Sequence, residues 1–212
     1  MNKLLKRDLN AGKLILGTLV VILGILGLLY GPSVISILAL TVTGLIAFRY
    51  VYGKGNIKYL FSKPIAPIKN IFIYLLLNIV VSFIVSYVLE NLLHWNLSGN
   101  SVTEAFQPLL LIVLPIMILG EELFSIYFLS IFSSKFSIPI ASVFSAILFG
   151  LIHYSTYDNG NVFHTLVHIL LIQGVARLIF NQAAIKSNSL ITSWSTHVIF
   201  DFVAILIAYY FG

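Results

Sequence analysis

Residues 108–132 read PLLLIVLPIMILGEELFSIYFLSIF, an apolar run long enough to cross a bilayer as one helix. Two adjacent carboxylates, Glu121 and Glu122, stand in the middle of this run. A carboxylate at the centre of a membrane helix costs about 2.5–3.5 kcal/mol on insertion scales, and by default it serves a function in a polar cavity. The other helices are therefore expected to supply polar partners for these two side chains.

The composition of the chain is that of an integral membrane protein. Of its 212 residues, 59% are hydrophobic and 9% are charged, whereas soluble domains carry about 25% charged residues. The chain has no cysteine, which excludes disulfides and thiolate metal ligands.

The apolar runs predict an all-α, polytopic transmembrane bundle of about seven spans, with six to eight as the range. The chain is predicted to form a single membrane domain. Residues 1–104 hold three spans without a recognised motif, and residues 105–212 hold the polar motifs. The predicted spans are 13–30, 32–52, 70–93, 108–132, 139–157, 162–180 and 190–211.

The basic residues predict the orientation of the bundle. In a seven-span topology all 12 Lys and Arg residues fall on one side, with Lys13, Arg49 and Arg177 counted at helix ends. The opposite loops hold three acidic residues and no basic one: Glu90, Glu104 and Asp158. The positive-inside rule then places the N-terminus in the cytoplasm and the C-terminus outside, across the plasma membrane. Orientation and contact with membrane lipid explain the net charge of +5, and no nucleic-acid partner is predicted.

Ionisable side chains concentrate in the last four predicted spans. At a rise of 1.5 Å per residue they lie roughly 12–24 Å from the cytoplasmic helix ends, so tilted helices can bring them into one layer. We therefore predict an active-site cavity formed by these four helices. The residues are Glu121, Glu122, His153, His164, His168, His197 and Asp201.

Local spacing sorts these side chains into groups. His197 and Asp201 are four residues apart and share a helical face. Glu121 and Glu122 point about 100° apart, so one can face the cavity while the other braces a neighbouring helix. Phe149 lies one turn before His153 and is predicted to support its ring.

These residue types make hydrolysis feasible. A carboxylate with help from imidazole can take a proton from water, and a histidine with an acid or amide can stabilise an oxyanion. The same set, in particular Glu121, His153 and His197, could bind a divalent metal such as zinc, and the sequence leaves the metal open. The chain contains neither His-Glu-x-x-His nor Gly-x-Ser-x-Gly.

Three segments resemble the motifs of the CPBP family, which contains CaaX prenyl endopeptidases and Abi-type bacteriocin-processing or immunity proteins. The segments are Glu121-Glu122, Phe149-x-x-x-His153 and His197-x-x-x-Asp201. Their order on successive apolar helices is fairly specific, and the resemblance covers roughly residues 108–201. It implies an intramembrane endopeptidase, a group that includes metalloproteases.

The resemblance also implies roles for individual residues. Glu121 would be the general base that activates water, with His153 assisting. His197 and Asp201 would stabilise the oxyanion, and Glu122 would be structural. An ionised aspartate cannot donate a hydrogen bond, so Asp201 would be protonated, would orient His197 or would ligate a metal.

One position departs from the family pattern. The first motif normally reads Glu-Glu-x-x-x-Arg, and Ile126 stands at the arginine position. Glu122 would then be neutral or would pair with His164, His168 or Arg177. Hydrogen-bonded packing, support of Glu122 and metal binding are all open roles for His164 and His168.

The expected substrate is a membrane-associated peptide or lipidated protein, such as a CaaX-type tail or a bacteriocin or pheromone leader. The departure at Ile126 motivates an alternative, a catalytically weak immunity or scaffold protein that binds a partner in the membrane. A small proton-coupled transporter is a third hypothesis. The sequence does not determine the oligomeric state.

Overall fold

The chain folds as a bundle of α-helices in a computed structural model that describes residues 1–99 and 109–211, and these residues contain no strand. A π-helical turn, Leu170–Gly174, joins the helices Val162–Ile169 and Val175–Ser187, so residues 162–187 form one continuous rod. A second π-helical turn, Val88–Leu92, extends the helix Pro67–Tyr87. The α-helices are α1 (Ala11–Tyr30), α2 (Ser33–Tyr52), α3 (Pro67–Tyr87), α4 (Leu110–Phe132), α5 (Ile138–Ile152), α6 (Val162–Ile169), α7 (Val175–Ser187) and α8 (Leu190–Phe211).

Six helices of the described residues are long and apolar enough to cross a membrane. They correspond to six of the seven predicted spans, and the predicted all-α membrane bundle is confirmed. The fifth predicted span is α5, which has only 15 residues and counts as a shorter apolar helix. The predicted start of the fourth span at Pro108, the acidic residue Glu104 and the proposed boundary between residues 104 and 105 lie outside the described residues.

Two predicted helix ends are wrong. The fifth helix ends at Ile152 rather than at residue 157, because the turn at His153 replaces α-helical bonding. The sixth predicted span, 162–180, corresponds to the rod of α6 and α7, which continues to Ser187. It is longer than predicted because its polar residues find partners inside the bundle. Arg177 is consequently a fully buried residue within the helix, and its assignment to a helix end among the orienting charges was wrong.

The two ends of the bundle are each tied by contacts between loops. At one end the Met1 amino group donates to the backbone and side-chain oxygens of Asn188 at 3.0 Å, and Ile65 N–H donates to the Ser187 carbonyl at 2.8 Å. At the other end the Asn159 side chain donates to the Asn96 carbonyl at 2.7 Å. Most of the Lys and Arg residues belong to the segments that meet at the first end.

Glycines allow α2 to lie directly against α4 beside the paired glutamates. A Cβ added at Gly120 would lie 2.8 Å from the Leu40 Cβ, and one added at Gly44 would lie 2.9 Å from the Leu123 Cβ. The Trp194 indole on α8 donates to the Pro115 carbonyl at 2.8 Å. These contacts fix α4 between α2 and α8, and with it the rotation of α4 that aims Glu121 and Glu122.

Candidate active site

A cavity of about 150 Å³ lies within the bundle between α4, the end of α5, the π-helical turn and α8. It is lined by Glu121, His153, His197 and Asp201, so the structure brings together the four side chains that the sequence singled out. The rest of the wall is apolar except for Tyr157 and Gln173. The apolar lining residues are Leu114, Met117, Phe200, Ala204 and Ile205.

The two glutamates point to different places, as their 100° offset predicts. Glu121 lines the cavity, and its side chain is 17% exposed. Glu122 is fully buried and pairs with Arg177 from α7, at 2.6 Å from Nη1 to Oε1 and 3.2 Å from Nη2 to Oε2. A two-bond guanidinium–carboxylate pair satisfies both charges in a fully buried site.

Arg177 is itself held on several sides. Its Nε donates to Asn181 Oδ1 at 3.1 Å, and Asn181 donates to Ser142 Oγ on α5 at 3.0 Å. The guanidinium lies over the rings of Phe149 and Phe180 at 5.6 and 5.4 Å from their centroids, which is cation–π distance. These contacts answer the question of the partner of Glu122.

The position of Ile126 fits this arrangement. Ile126 is fully buried on the same helix as Glu122, where the family pattern has arginine. In this chain the cation that neutralises Glu122 comes from α7, through space, instead of from one turn along α4. The departure at Ile126 therefore does not leave Glu122 without a charged partner.

His197 lies between the buried ion pair and the cavity and contacts both. Its Nδ1 lies 3.1 Å from Glu122 Oε1, and its ring stacks on Phe180 at 4.5 Å between centroids. Its Nε2 lies 3.9 Å from Glu121 Oε2 and 3.7 Å from Asp201 Oδ1. Glu122 and Phe180 thus hold the ring on one side, and its Nε2 faces two carboxylates in the cavity.

The end of α5 decides the protonation pattern of the His153 ring. His153 has φ −90° and ψ 2°, and its backbone N–H bonds to the Gly150 carbonyl at 3.0 Å rather than to Phe149. The Phe149 carbonyl instead pairs with His153 Nδ1 at 2.8 Å. Because a carbonyl oxygen only accepts, Nδ1 carries a proton, and the lone pair of a neutral ring then lies on Nε2. The predicted contact between the Phe149 and His153 rings is present, at 4.7 Å.

The two further histidines lie apart from the four lining residues. His168 is buried with its ring edge-on to Tyr157 at 5.0 Å. His164 stacks on Trp95 at 3.9 Å, near the loop contacts at the second end of the bundle. Neither contacts Glu122, whose observed partners are Arg177 and His197. Both rings therefore make aromatic contacts, whereas the predicted hydrogen-bonded packing is absent at His168, whose Nδ1 is buried without a hydrogen-bond partner among the described residues.

The contacts of the two histidines bear on the metal ion that the sequence left open. Within residues 1–99 and 109–211, no group of three or more His, Asp or Glu side chains lies close enough together to hold one. The Nδ1 atoms of His153 and His197 are engaged by Phe149 and Glu122, an arrangement that metal-binding histidines commonly have and that leaves Nε2 as the coordinating atom. A metal ion at Glu121, His153 and His197 therefore stays a prediction.

A family model described as type II CAAX prenyl endopeptidase Rce1-like matches residues 103–203. This segment is therefore similar to the Rce1-like family, which lies within the CPBP family. No curated protein and no solved structure matches the chain. The Rce1-like segment runs through α4 to α8 as far as Val203 and contains the cavity residues, whereas α1–α3 lie outside it.

Sequence reasoning missed two polar residues of the Rce1-like segment that line the cavity, Tyr157 and Gln173. Gln173 interrupts the apolar run Leu170-Leu171-Ile172, and this interruption was the available signal. Asn181 was missed as well, because the sixth span was predicted to end at residue 180, one residue before it. A single polar side chain in an apolar helix is a weak signal until its neighbours in space are known.

Proposed function

We propose that this protein is an intramembrane endopeptidase that cleaves a membrane-associated peptide with water activated by Glu121. The observation that carries the proposal is the shared cavity: a carboxylate, two imidazoles and a second carboxylate from three separate segments surround one space. Since liquid water occupies about 30 Å³ per molecule, a cavity of about 150 Å³ has room for water and a peptide group. The Rce1-like match supports the same reaction class.

In this proposal Glu121 takes a proton from water as the oxygen attacks the carbonyl carbon, and the proton passes to the leaving amine as the C–N bond breaks. His153 Nε2 accepts a hydrogen bond from the same water and holds it for attack. Because Nδ1 of this ring bonds to the Phe149 carbonyl, the lone pair of the neutral form lies on Nε2. Both groups line the cavity with limited exposure, where fixed polar groups act more strongly than in water.

His197 is assigned to the oxyanion. Its Nδ1–H donates to Glu122, whose charge Arg177 balances, and its Nε2 faces Glu121 and Asp201. A ring surrounded by acceptors at both nitrogens is suited to carry two protons, so Nε2–H can donate to an oxyanion. Asp201, one turn away on α8, then orients the ring and balances its charge.

The setting of the cavity supports one substrate class. An apolar groove of about 570 Å³ lies between α1, α4 and α5, and its wall includes Ile152 and Tyr154 on either side of His153. Such a groove suits a hydrocarbon chain. We therefore propose a lipidated CaaX-type tail as the preferred substrate, with an unlipidated bacteriocin or pheromone leader as the competing one, and a plasma-membrane location with a cytoplasmic N-terminus.

The test is cleavage of lipidated and unlipidated peptides by the purified protein in liposomes, read by mass spectrometry together with the metal content. Glu121→Gln is expected to lower the rate about 10²–10⁴-fold, the usual contribution of a general base. The control is Glu90→Gln, which changes an exposed carboxylate in the turn after α3 and should leave the rate unchanged. Equal cleavage by Glu121→Gln and the parent would refute the proposal.

A role in self-immunity against a bacteriocin would draw on the same cavity. The alternative of a catalytically weak immunity or scaffold protein was based on the missing arginine at Ile126. The pairing of Glu122 with Arg177 weakens that argument, because Glu122 has a cation as its partner. In cells challenged with a bacteriocin, loss of protection in Glu121→Gln would link immunity to proteolysis. Full protection by this variant would favour binding of a partner instead.

A further inference from the structure

Gln173 lies in the cavity because the rod formed by α6 and α7 widens into a π-helical turn at Leu170–Gly174. A π-turn adds one residue to the helical repeat and so turns the following side chains to a new direction, and such turns occur frequently at functional sites. In this membrane layer an amide at the cavity wall is a polar group that packing alone does not explain.

The π-helical turn is held in place by α5. A Cβ added at Gly150 would lie 2.9 Å from the Ile169 carbonyl oxygen, and one added at Gly174 would lie 3.4 Å from the Ala146 carbonyl oxygen. The backbones of the rod and α5 therefore touch on both sides of Gln173. Since His153 directly follows the end of α5 at Ile152, the same contact sets the position of Gln173 relative to His153.

The amide is oriented by a hydrogen bond to a second cavity residue. Gln173 Nε2 donates to the Tyr157 hydroxyl oxygen at 2.9 Å, and Tyr157 packs edge-on against the buried His168 ring. A carboxamide nitrogen carries two protons. One is used by Tyr157, and the other is available to a group inside the cavity.

The cavity has many acceptors and few donors. Glu121 and Asp201 accept when ionised, and neutral His153 presents its Nε2 lone pair. The donors among the polar lining residues are His197, the Tyr157 hydroxyl and the Gln173 amide. Oxyanion sites normally present at least two donors to the developing charge. An aspartate at residue 201 leaves one of these donors to be supplied from elsewhere.

We propose that Gln173 is a catalytic residue whose second amide N–H binds the carbonyl oxygen of the scissile peptide together with His197 Nε2–H. As water adds to the carbonyl carbon, the carbonyl π electrons move to the oxygen, and both donors hold the negative charge. The charge returns to the carbonyl as the C–N bond breaks and the amine takes the proton from Glu121. Tyr157 is a positioning residue that orients the amide. The inference rests on the proposed endopeptidase function.

The test compares Gln173→Glu and Gln173→Leu with the parent for kcat and KM on a cleaved peptide. Both variants lack the amide donor, and each is expected to lower kcat about 10²–10³-fold, as for loss of one oxyanion donor, with little change in KM. The matched control is Gln182→Glu on the same rod, outside the cavity lining, which should keep the parent kcat. Tyr157→Phe should lower kcat by a smaller factor.

The outcomes separate this inference from the proposed function. If the parent cleaves, Glu121→Gln does not, and both Gln173 variants keep the parent kcat or change only KM, then the role of Gln173 is overturned while the endopeptidase stands. If Glu121→Gln cleaves as well as the parent, or the parent cleaves nothing, both the endopeptidase function and the role of Gln173 are refuted. Thermal unfolding of each variant shows whether it folds. If Gln173→Leu does not fold, Gln173→Glu still tests the inference, because it keeps the shape of the side chain.

Discussion

At the scale of single residues, the site depends on how one buried charge is neutralised. Glu122 and Arg177 are both fully buried, and each has further partners in His197 and Asn181. A buried carboxylate without a cation would be strongly unfavourable in this environment. The arginine on α7 thus supplies what Ile126 cannot, and it also fixes the ring of His197 through Glu122.

We predict that Arg177→Met lowers the free energy of unfolding by about 3–5 kcal/mol, because it leaves Glu122 buried and unpaired. Activity should fall with it, since His197 loses a firmly held partner. The measurements are thermal unfolding in detergent and peptide cleavage. Arg49→Met, which removes an exposed arginine at the end of α2, should change neither by more than about 0.5 kcal/mol.

A second-site change tests whether Glu122 needs a cation nearby, by restoring one at another position. Ile126 lies one helical turn after Glu122, so Arg177→Met combined with Ile126→Arg restores a cation within reach. Partial recovery of stability relative to Arg177→Met alone is expected. A double variant less stable than the single one would show that the contacts of Arg177 with α5 matter more than its charge.

At the scale of elements, two departures from regular α-helix shape the cavity. The end of α5 at Ile152 frees the Phe149 carbonyl for His153, and the π-helical turn Leu170–Gly174 carries Gln173. The two meet at Gly150, where α5 contacts the Ile169 backbone. One close helix contact therefore positions groups from two separate segments.

Gly150→Ala is predicted to separate these elements. The added Cβ would lie 2.9 Å from the Ile169 carbonyl oxygen, which forces the rod away from α5 and costs about 1–3 kcal/mol as overpacking. Cleavage should fall because His153 and Gln173 shift relative to each other. Gly55→Ala is the control, since nothing lies within 4 Å of its added Cβ. Parent-like cleavage by Gly150→Ala would mean that the site tolerates this shift.

At the scale of the whole molecule, the loops divide into two sets at opposite ends of the bundle. Residues near the N-terminus, the turn after α2 and the turn after α7 meet at one end. The turns after α3 and α5 meet at the other, where Asn96 and Asn159 are bonded. The basic residues lie mostly at the first end, which we expect to face the cytoplasm.

The absence of cysteine from the sequence makes this orientation directly testable. With single cysteines at exposed positions of each end, Lys54→Cys should react with a membrane-impermeant maleimide only after cells are opened, and Asn96→Cys should react in intact cells. The physical reason is the retention of positively charged loops on the cytoplasmic side. The reverse labelling pattern would contradict the expected orientation.

The sequence alone determined the class of the molecule and the main chemical groups. Apolar runs identify membrane helices because a buried backbone must bond to itself in lipid, and Glu121, His153 and His197 stand out because polar groups are costly there. The i, i+4 relation of His197 and Asp201 also followed, since helical geometry is local.

The tertiary structure decided the partners. Glu122 and Arg177 are 55 residues apart in the chain, so no local rule connects them. The end of α7 was misplaced because polar residues such as Arg177 and Asn181 remain helical when other helices satisfy them. The end of α5 was misplaced because the His153 side chain takes the Phe149 carbonyl and a turn replaces the helix there. Whether a side chain marks a helix end, a buried ion pair or a cavity wall depends on what lies opposite to it, and packing between distant segments determines that.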